Sequence, residues 1–158
     1  MMIEVVVVST SRFEKFGPGA KPEEAEDLSG RAILDRLSEA NRSFTYRLVP
    51  DGVEPVRDAI QESKADALIL CGGTGLAPKD LTIEAAEPLF EKTIPGFGEV
   101  FRLKSLEEVG TRAILTRASA GVVGGVPVFC LPGSPSAARL GVELILAEID
   151  HILGHISE

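Results

Sequence analysis

The sequence predicts an α/β fold of three layers: an open, mostly parallel sheet with helices on both faces and one antiparallel strand. Short apolar runs rich in β-branched residues alternate with segments whose apolar residues recur at helical spacing, which is typical of parallel βαβ units. A pair of adjacent glycines between two later apolar runs indicates a hairpin, and therefore a strand of opposite direction. The chain has 158 residues, about the length of one domain, so we expect a single domain over residues 1–158.

Strands and helices alternate through the first half of the chain. Ile3–Val8 is almost continuously apolar, as in a strand that is covered on both faces. Ser11–Glu26 is predicted as one long loop, and long loops inside compact domains often carry function. The helix that follows has Asp27 or Ser29 as its candidate N-cap. The predicted helices cover 28–40 and 53–63, and the predicted strands after them cover 44–49 and 67–71.

The second half departs from this rhythm. Apolar runs over 111–123 and 126–131 flank Gly124 and Gly125, and both glycines can adopt the positive φ of a tight hairpin turn. We therefore expect the antiparallel strand in this hairpin. Three helices are predicted in this half, over 82–90, over 99–108 after a turn cluster at 95–98, and over 137–153.

Composition and charge exclude several classes of function. With 44% hydrophobic and 25% charged residues, the chain is typical of a globular protein rather than a disordered one. A formal net charge of −8 and an aromatic content of 5% without Trp argue against nucleic acid as the main partner. No apolar run approaches the roughly 18 residues of a membrane span, and Met1–Val8 lacks the basic start of a signal peptide. We therefore expect a cytoplasmic protein without membrane association, in which Cys71 and Cys130 are buried free thiols.

Two glycine-containing loops are the candidate ligand-binding elements. Each follows a predicted buried strand, where ligands bind in open α/β sheets, and glycines let the backbone approach an anion closely. The residues expected to contact a ligand are Gly72, Gly73, Thr74 and Gly75 in the first loop and Pro132, Gly133 and Ser134 in the second. Either loop alone favours a tight strand-to-helix turn over a ligand site. Two loops in equivalent positions favour a shared anionic ligand.

Two aspartates also follow predicted strand ends. Asp80 lies beside Lys79 just after the first glycine loop, and Asp51 directly follows the strand over 44–49. A cation and a carboxylate near an anion-binding loop suit phosphate and Mg²⁺ respectively, because Mg²⁺ takes one or two carboxylates together with phosphate oxygens. The structural alternatives are a helix cap for Asp80 and a turn residue for Asp51.

The standard nucleotide and catalytic fingerprints are absent. The G-x-G that begins at Gly73 is followed by Pro78 where a dinucleotide site needs Gly or Ala, and no G-x-x-x-x-G-K-[ST] occurs. No G-x-S-x-G motif and no Cys/His metal signature is present either. The sequence therefore predicts neither an ordinary NAD site nor a P-loop.

Five segments together resemble the MoaB/Mog family of molybdenum cofactor biosynthesis proteins. They are Asp27–Gly30, Cys71–Ala85, Ile94–Glu99, Gly110–Leu115 and Leu131–Pro135. The resemblance implies a Rossmann-like, molybdopterin-binding α/β domain. It further implies a molybdopterin adenylyltransferase, a nucleotidyltransferase that converts molybdopterin and Mg-ATP to adenylyl-molybdopterin and pyrophosphate. The alternatives are a non-catalytic, MoaB-type molybdopterin-binding protein and a scaffold of the pathway.

The resemblance also implies roles for individual residues. Asp51 and Asp80 match two aspartates that are important in active members, and we assign them to catalysis and to Mg²⁺ held through ATP. Lys79 stands where the family usually has Arg, and Ser105 and Ser134 are expected to contact the pterin or its phosphate. ATP and molybdopterin are then substrates, and Mg²⁺ is the cofactor. The family resemblance predicts a homotrimer or homohexamer and contacts with other proteins of the cofactor pathway.

Overall fold

The computed structural model describes residues 1–158 and is built around one six-stranded sheet. The strands are β1 (Met2–Val8), β2 (Ser43–Val49), β3 (Ala67–Cys71), β4 (Lys92–Thr93), β5 (Ser119–Val123) and β6 (Val126–Leu131). Their order across the sheet is β2-β1-β3-β6-β5-β4. The first four in this order are parallel, whereas β5 pairs antiparallel with both β6 and β4. Only β5 runs in the opposite direction, so the predicted fold class is confirmed.

Helices cover both faces of the sheet. They are α1 (Thr10–Phe16), α2 (Leu28–Glu39), α3 (Val53–Glu62), α4 (Thr82–Ala86), α5 (Pro95–Val109) and α6 (Pro135–Ile156). Side chains of β1 alternate between two cores: Ile3 and Val5 share one with α2, α5 and α6, whereas Val6 and Val8 share the other with α3 and α4. All four side chains are at most 5% exposed, which explains why β1 is apolar on both faces.

Two helices begin where the sequence patterns indicated loops. Ser9 caps α1 by accepting a hydrogen bond from an amide in its first turn, so the predicted loop over 11–26 starts with a helix of seven residues. Such a helix is too short to show a clear apolar period. α5 begins at Pro95 rather than Glu99, because proline at the first helical position loses no hydrogen bond. The glycines of its first turn had indicated a turn cluster.

The first strand of the hairpin starts later than the sequence predicted. The first part of the predicted run over 111–123 forms a 3₁₀ helix, Gly110–Leu115, and the strand is confined to Ser119–Val123. β4 has only two residues, so no alternation could predict it. The helix predicted over 82–90 changes to a 3₁₀ helix at Glu87–Leu89, where Pro88 has no amide to continue an α-helix.

Close packing of α6 against β6 fixes the position of the helix. A Cβ atom on Gly141 would lie 2.4 Å from Cδ2 of Leu131, so the helix approaches the strand as only glycine allows. α6 begins at Pro135, soon after β6 ends at Leu131, and Ser134 caps its first turn. Although α6 has 22 residues, neither it nor any other helix has a stretch apolar enough to cross a membrane.

Candidate active site

The carboxyl ends of the four parallel strands meet at one edge of the sheet, and two adjoining cavities lie there. The small cavity, about 200 Å³, is lined by the segment from Ser9 to Arg12 together with Asp27, Ser29, Asp51 and Lys79. The large cavity, about 590 Å³, is lined by Ser105, Arg112, Leu115, Ser134 and Leu140 among others. Gly73, Asp80 and Gly133 line both cavities and mark their junction.

The first glycine loop adopts a backbone that requires glycine. Gly72 has φ of 103°, and a Cβ there would lie 2.5 Å from the carbonyl oxygen of Val8. Gly73 has φ of 69°, and its Cβ would lie 2.3 Å from Oγ1 of Thr82. The amides of Gly73, Thr74 and Gly75 donate no hydrogen bond within the chain. Consecutive free amides of this kind form an anion-binding concavity.

Arg117 fixes the other side of this loop. Its Nε donates to the carbonyl oxygen of Thr74 at 2.9 Å, and Nη2 donates to that of Gly75 at 2.8 Å. The same guanidinium forms an ion pair with Glu84 at 2.5 Å, and this hydrogen bond lowers the pKa of the Glu84 carboxyl. The sequence did not predict Arg117 as a site residue. Nothing in its spacing indicated that it would hold the loop.

Asp51 is oriented by Thr10 through three hydrogen bonds. Oδ2 of Asp51 accepts from the amide of Thr10 at 3.0 Å and from its hydroxyl at 2.7 Å, and the hydroxyl oxygen accepts from the Asp51 amide at 2.9 Å. Oδ1 accepts no hydrogen bond within the chain and would lie 3.3 Å from a Cβ on Gly73. Asp51 is a turn residue at the end of β2. It also directs a free carboxylate oxygen toward the glycine loop.

Asp80 closes a turn at the junction of the cavities. Its amide donates to the carbonyl oxygen of Ala77 at 2.9 Å, and its Oδ2 accepts from the Ala77 amide at 3.1 Å. The carboxylate lies beside Gly75, where a Cβ would approach Oδ2 to 2.7 Å. The N-cap of α4 is Leu81 without a side-chain hydrogen bond, so the alternative of Asp80 as a helix cap is wrong.

The second loop contacts the first directly. A Cβ on Gly133 would lie 3.3 Å from Cα of Gly72, and the hydroxyl of Ser29 donates to the Gly133 carbonyl oxygen at 2.5 Å. Oγ of Ser134 accepts from the Ala137 amide at 3.2 Å and caps α6. Both loops and the start of α6 therefore border the large cavity, and the buried Ser105 lines the same cavity from α5.

Asp51 and Asp80 both line the small cavity, and each has a carboxylate oxygen of the kind that binds Mg²⁺. Asp51 and Asp80 each have one carboxylate oxygen without a partner in the chain, and Mg²⁺ prefers oxygen ligands of this kind. No group of three or more His, Cys, Asp or Glu side chains converges on a metal-sized site. A cation here would therefore complete its ligand set with phosphate oxygens or water.

Cys71 lies beneath the small cavity but is not suited to be a nucleophile. Burial raises the pKa of its thiol to about 12, and the same holds for Cys130. Because the thiolate is the reactive form, both thiols are inert at neutral pH. Neither forms a disulfide, which confirms the prediction of buried free thiols.

Comparisons with known proteins agree with this architecture. Residues 4–151 match the family described as "Probable molybdopterin binding domain". A molybdopterin adenylyltransferase of Pyrococcus furiosus is 47% identical over 147 residues, which cover 89% of this chain and 86% of that protein. The chain belongs to the MoaB/Mog family. A molybdenum cofactor biosynthesis protein B of Bacillus subtilis is 40% identical, over 82% of this chain and 81% of that protein.

Solved structures of this family share the whole fold. The crystal structure of the tungsten cofactor synthesizing protein MoaB from Pyrococcus furiosus superposes with a TM-score of 0.87 at 41% identity, over 99% of this chain and 97% of that one. A MogA structure superposes with a TM-score of 0.83 at 30% identity, over 99% of both chains. Membership of the MoaB/Mog family therefore rests on both sequence and fold.

Proposed function

We propose that this MoaB/Mog protein is a molybdopterin adenylyltransferase that uses Mg-ATP and releases pyrophosphate. One observation carries the proposal: the two cavities meet at Gly73, Asp80 and Gly133, so two ligands can place reacting groups at one point. Free amides line this junction from one side, and the carboxylates of Asp51 and Asp80 lie beside it. The name of the Pyrococcus furiosus relative supports the same activity.

The large cavity suits the pterin. Its walls combine apolar side chains, including Leu115 and Leu140, with the hydroxyls of Ser105 and Ser134. A flat ring with polar edges needs such a surface, because apolar walls bind the faces while a few polar groups fix the orientation. The phosphate of molybdopterin would then lie near the amides of Gly73, Thr74 and Gly75.

The reaction needs no nucleophile from the protein. An oxygen of the pterin phosphate forms a bond to the α-phosphorus of ATP, and the bond from that phosphorus to the bridging oxygen of pyrophosphate breaks. Pyrophosphate departs with the electron pair of that bond. The protein contributes alignment of the two phosphates and neutralisation of their charge, which are the main sources of rate in phosphoryl transfer. Mg²⁺ held by Asp51 and Asp80 would supply positive charge to the phosphate oxygens.

The second candidate function is molybdopterin binding without adenylylation. Lys79 favours this alternative, because it replaces a two-pronged guanidinium with a single charge at a position where the family usually has Arg. Purified protein incubated with molybdopterin and Mg-ATP distinguishes the two functions. We expect release of pyrophosphate that requires both substrates, whereas pterin binding without pyrophosphate release would establish the binding function.

We also propose that the protein assembles as a homotrimer or homohexamer. Several large apolar side chains are exposed on α5 and the 3₁₀ helix after it, namely Val100, Leu103, Leu106, Val109, Ile114 and Leu115. Monomers rarely leave so many apolar side chains in one region. Sedimentation that shows only monomer would contradict this assembly. We further propose that the protein contacts other proteins of the cofactor pathway. We also propose a cytoplasmic location, because the thiols of Cys71 and Cys130 are reduced.

A further inference from the structure

The small cavity contains a cation, Arg12, that forms no ion pair with the carboxylates lining the same cavity. Arg12 lines this cavity and not the large one. Its Nε is buried and has no hydrogen-bond partner, and its Nη2 makes only a long contact of 3.4 Å to the carbonyl oxygen of Glu26. Arg12 forms no ion pair, whereas four other arginines form five ion pairs with carboxylates. A buried charged donor without a partner is costly, so such a donor in a cavity indicates a ligand.

Asp27, which lines the same cavity as Arg12, already has hydrogen-bond partners on both carboxylate oxygens. Asp27 is 1% exposed, and its two carboxylate oxygens accept hydrogen bonds from the Gly30 amide at 2.9 Å and from the Tyr46 hydroxyl at 2.7 Å. Burial, followed by this hydrogen bond, raises the pKa of Tyr46 far above its ordinary value, so the hydroxyl remains a donor. Asp27 accepts no hydrogen bond from Arg12, so the guanidinium of Arg12 is available to a ligand.

The remaining lining of the small cavity suits an oligophosphate that carries Mg²⁺, because Asp51 and Asp80 line the cavity together with the cationic side chains. Lys79 is exposed and forms no hydrogen bond within the chain, and hydroxyl groups line the wall at Ser9 and Ser11. Guanidinium and ammonium groups recognise phosphate, and the guanidinium does so through two parallel hydrogen bonds. The cavity volume of about 200 Å³ accommodates phosphate groups but leaves little room for a pterin ring in addition.

We propose that the small cavity binds the β- and γ-phosphates of the nucleotide, with Arg12 as their principal ligand and Lys79 as a second cation. This inference rests on the proposed function and assigns its two substrates to separate cavities. The α-phosphorus then lies at the junction formed by Gly73, Asp80 and Gly133, and the departing pyrophosphate is retained by Arg12. The pterin phosphate reaches the junction from the large cavity.

Calorimetric titration with inorganic pyrophosphate in the presence of Mg²⁺ tests this assignment without requiring turnover. In Arg12→Ala we expect affinity for pyrophosphate to fall about 10-fold or more, because charge-assisted hydrogen bonds are lost. Lys64→Ala is the control, since it removes an exposed cation just before β3, at the opposite edge of the sheet. We expect this control to bind pyrophosphate as the unmodified protein does, and equal affinity in Arg12→Ala would overturn the assignment.

A second variant covers the case in which Arg12→Ala does not fold. Arg12→Lys keeps the charge but has no Nε donor and no two-pronged guanidinium, so we expect an intermediate loss of pyrophosphate affinity. Unchanged affinity in this variant would also overturn the role of the guanidinium. The same variants are titrated with molybdopterin. A loss that falls on molybdopterin instead of pyrophosphate would place the pterin phosphate in the small cavity and contradict the proposal.

The outcome separates this inference from the proposed function. Arg12-dependent binding of pyrophosphate in a protein that transfers no adenylyl group would retain the oligophosphate site and reject the activity. Conversely, adenylyl transfer by a protein whose pyrophosphate affinity is insensitive to Arg12 would retain the activity and reject the site.

Discussion

The two carboxylate oxygens of Asp51 have different roles: one orients the side chain, and the other stays free for a ligand. One carboxylate oxygen of Asp51 is used entirely in hydrogen bonds to Thr10, which leaves the other to face the glycine loop. Asp80 shows the same division, because Oδ2 closes a turn with Ala77 while Oδ1 accepts no hydrogen bond. The sequence predicted both positions from their place after strand ends. It could not predict Thr10 as the orienting partner, because that contact spans 41 residues.

Amide replacement tests the charge of these aspartates. Asp51→Asn and Asp80→Asn each keep an oxygen that can accept the existing hydrogen bonds, so both variants should fold. We expect the rate of pyrophosphate release to fall about 100-fold or more in each, since charge stabilisation in phosphoryl transfer is lost. Asp58→Asn on the exposed face of α3 is the matched control and should retain the unmodified rate. Full activity in both site variants would contradict their assignment.

Arg117 offers a test of loop positioning. Arg117→Lys keeps the positive charge but cannot bond the carbonyl oxygens of Thr74 and Gly75 together with Glu84. We expect a lower kcat/KM and faster hydrogen exchange of the Ala77 and Thr82 amides, which donate to Asp80 and to the Gly73 carbonyl oxygen and so depend on the shape of the loop. Arg47→Ala, which breaks one exposed ion pair with Glu62, should change neither quantity. Unaltered exchange of the Ala77 and Thr82 amides would show that the loop holds its shape without Arg117.

The buried thiols give a pH-dependent prediction. The pKa of Cys71 and Cys130 is raised from 9.0 to about 12 in the folded protein, so folding favours the neutral thiol and this contribution to stability is complete below about pH 9. It is lost as the pH rises toward 12, and the thermal midpoint should fall over that interval. At pH 8 iodoacetamide should alkylate the folded protein far more slowly than the urea-unfolded chain. Equal alkylation rates would contradict the burial of both thiols.

At the scale of elements, the sequence patterns predicted the long regular segments and missed the short ones. β1, β3 and β6 are recognisable because burial on both faces demands continuous apolar runs, and α2, α3 and α6 because each buries one helical stripe. α1 and β4 are too short to show a period. The 3₁₀ helix Gly110–Leu115 lies in a run whose apolar residues indicated a strand, and it packs against α5, a contact that no local pattern shows. The cavities lie between elements, so no local pattern could predict their sizes.

Two glycines of α6 provide a matched test of how this helix packs. Gly141→Ala places a methyl group against Leu131, which is buried, and we expect a loss of about 1 to 2 kcal/mol in the free energy of unfolding. Gly154→Ala lies in the same helix with no atom within 4 Å, and it should gain about 0.5 to 1 kcal/mol. Urea unfolding measures both. Stabilisation by both substitutions would show that α6 does not approach β6 as closely as described.

At the scale of the whole molecule, a net charge of −8 does not oppose phosphorylated substrates. The charge excludes extended polyanions, which require a basic surface. A small phosphorylated ligand responds to the local field instead. In the proposed complex this field comes from the free loop amides, from Arg12 and Lys79, and from Mg²⁺ held beside Asp51 and Asp80. The net charge of this MoaB/Mog protein is therefore compatible with the two anionic substrates that we propose.

In the proposed reaction the pterin phosphate attacks the α-phosphorus of ATP at the junction of the two cavities. ATP labelled at the α-phosphorus, incubated with the protein, Mg²⁺ and molybdopterin, follows this step. We expect the label to appear in adenylyl-molybdopterin in a one-to-one ratio with released pyrophosphate. Label that remains in ATP while molybdopterin is bound, or label that leaves as free AMP without a pterin adduct, would rule out this reaction.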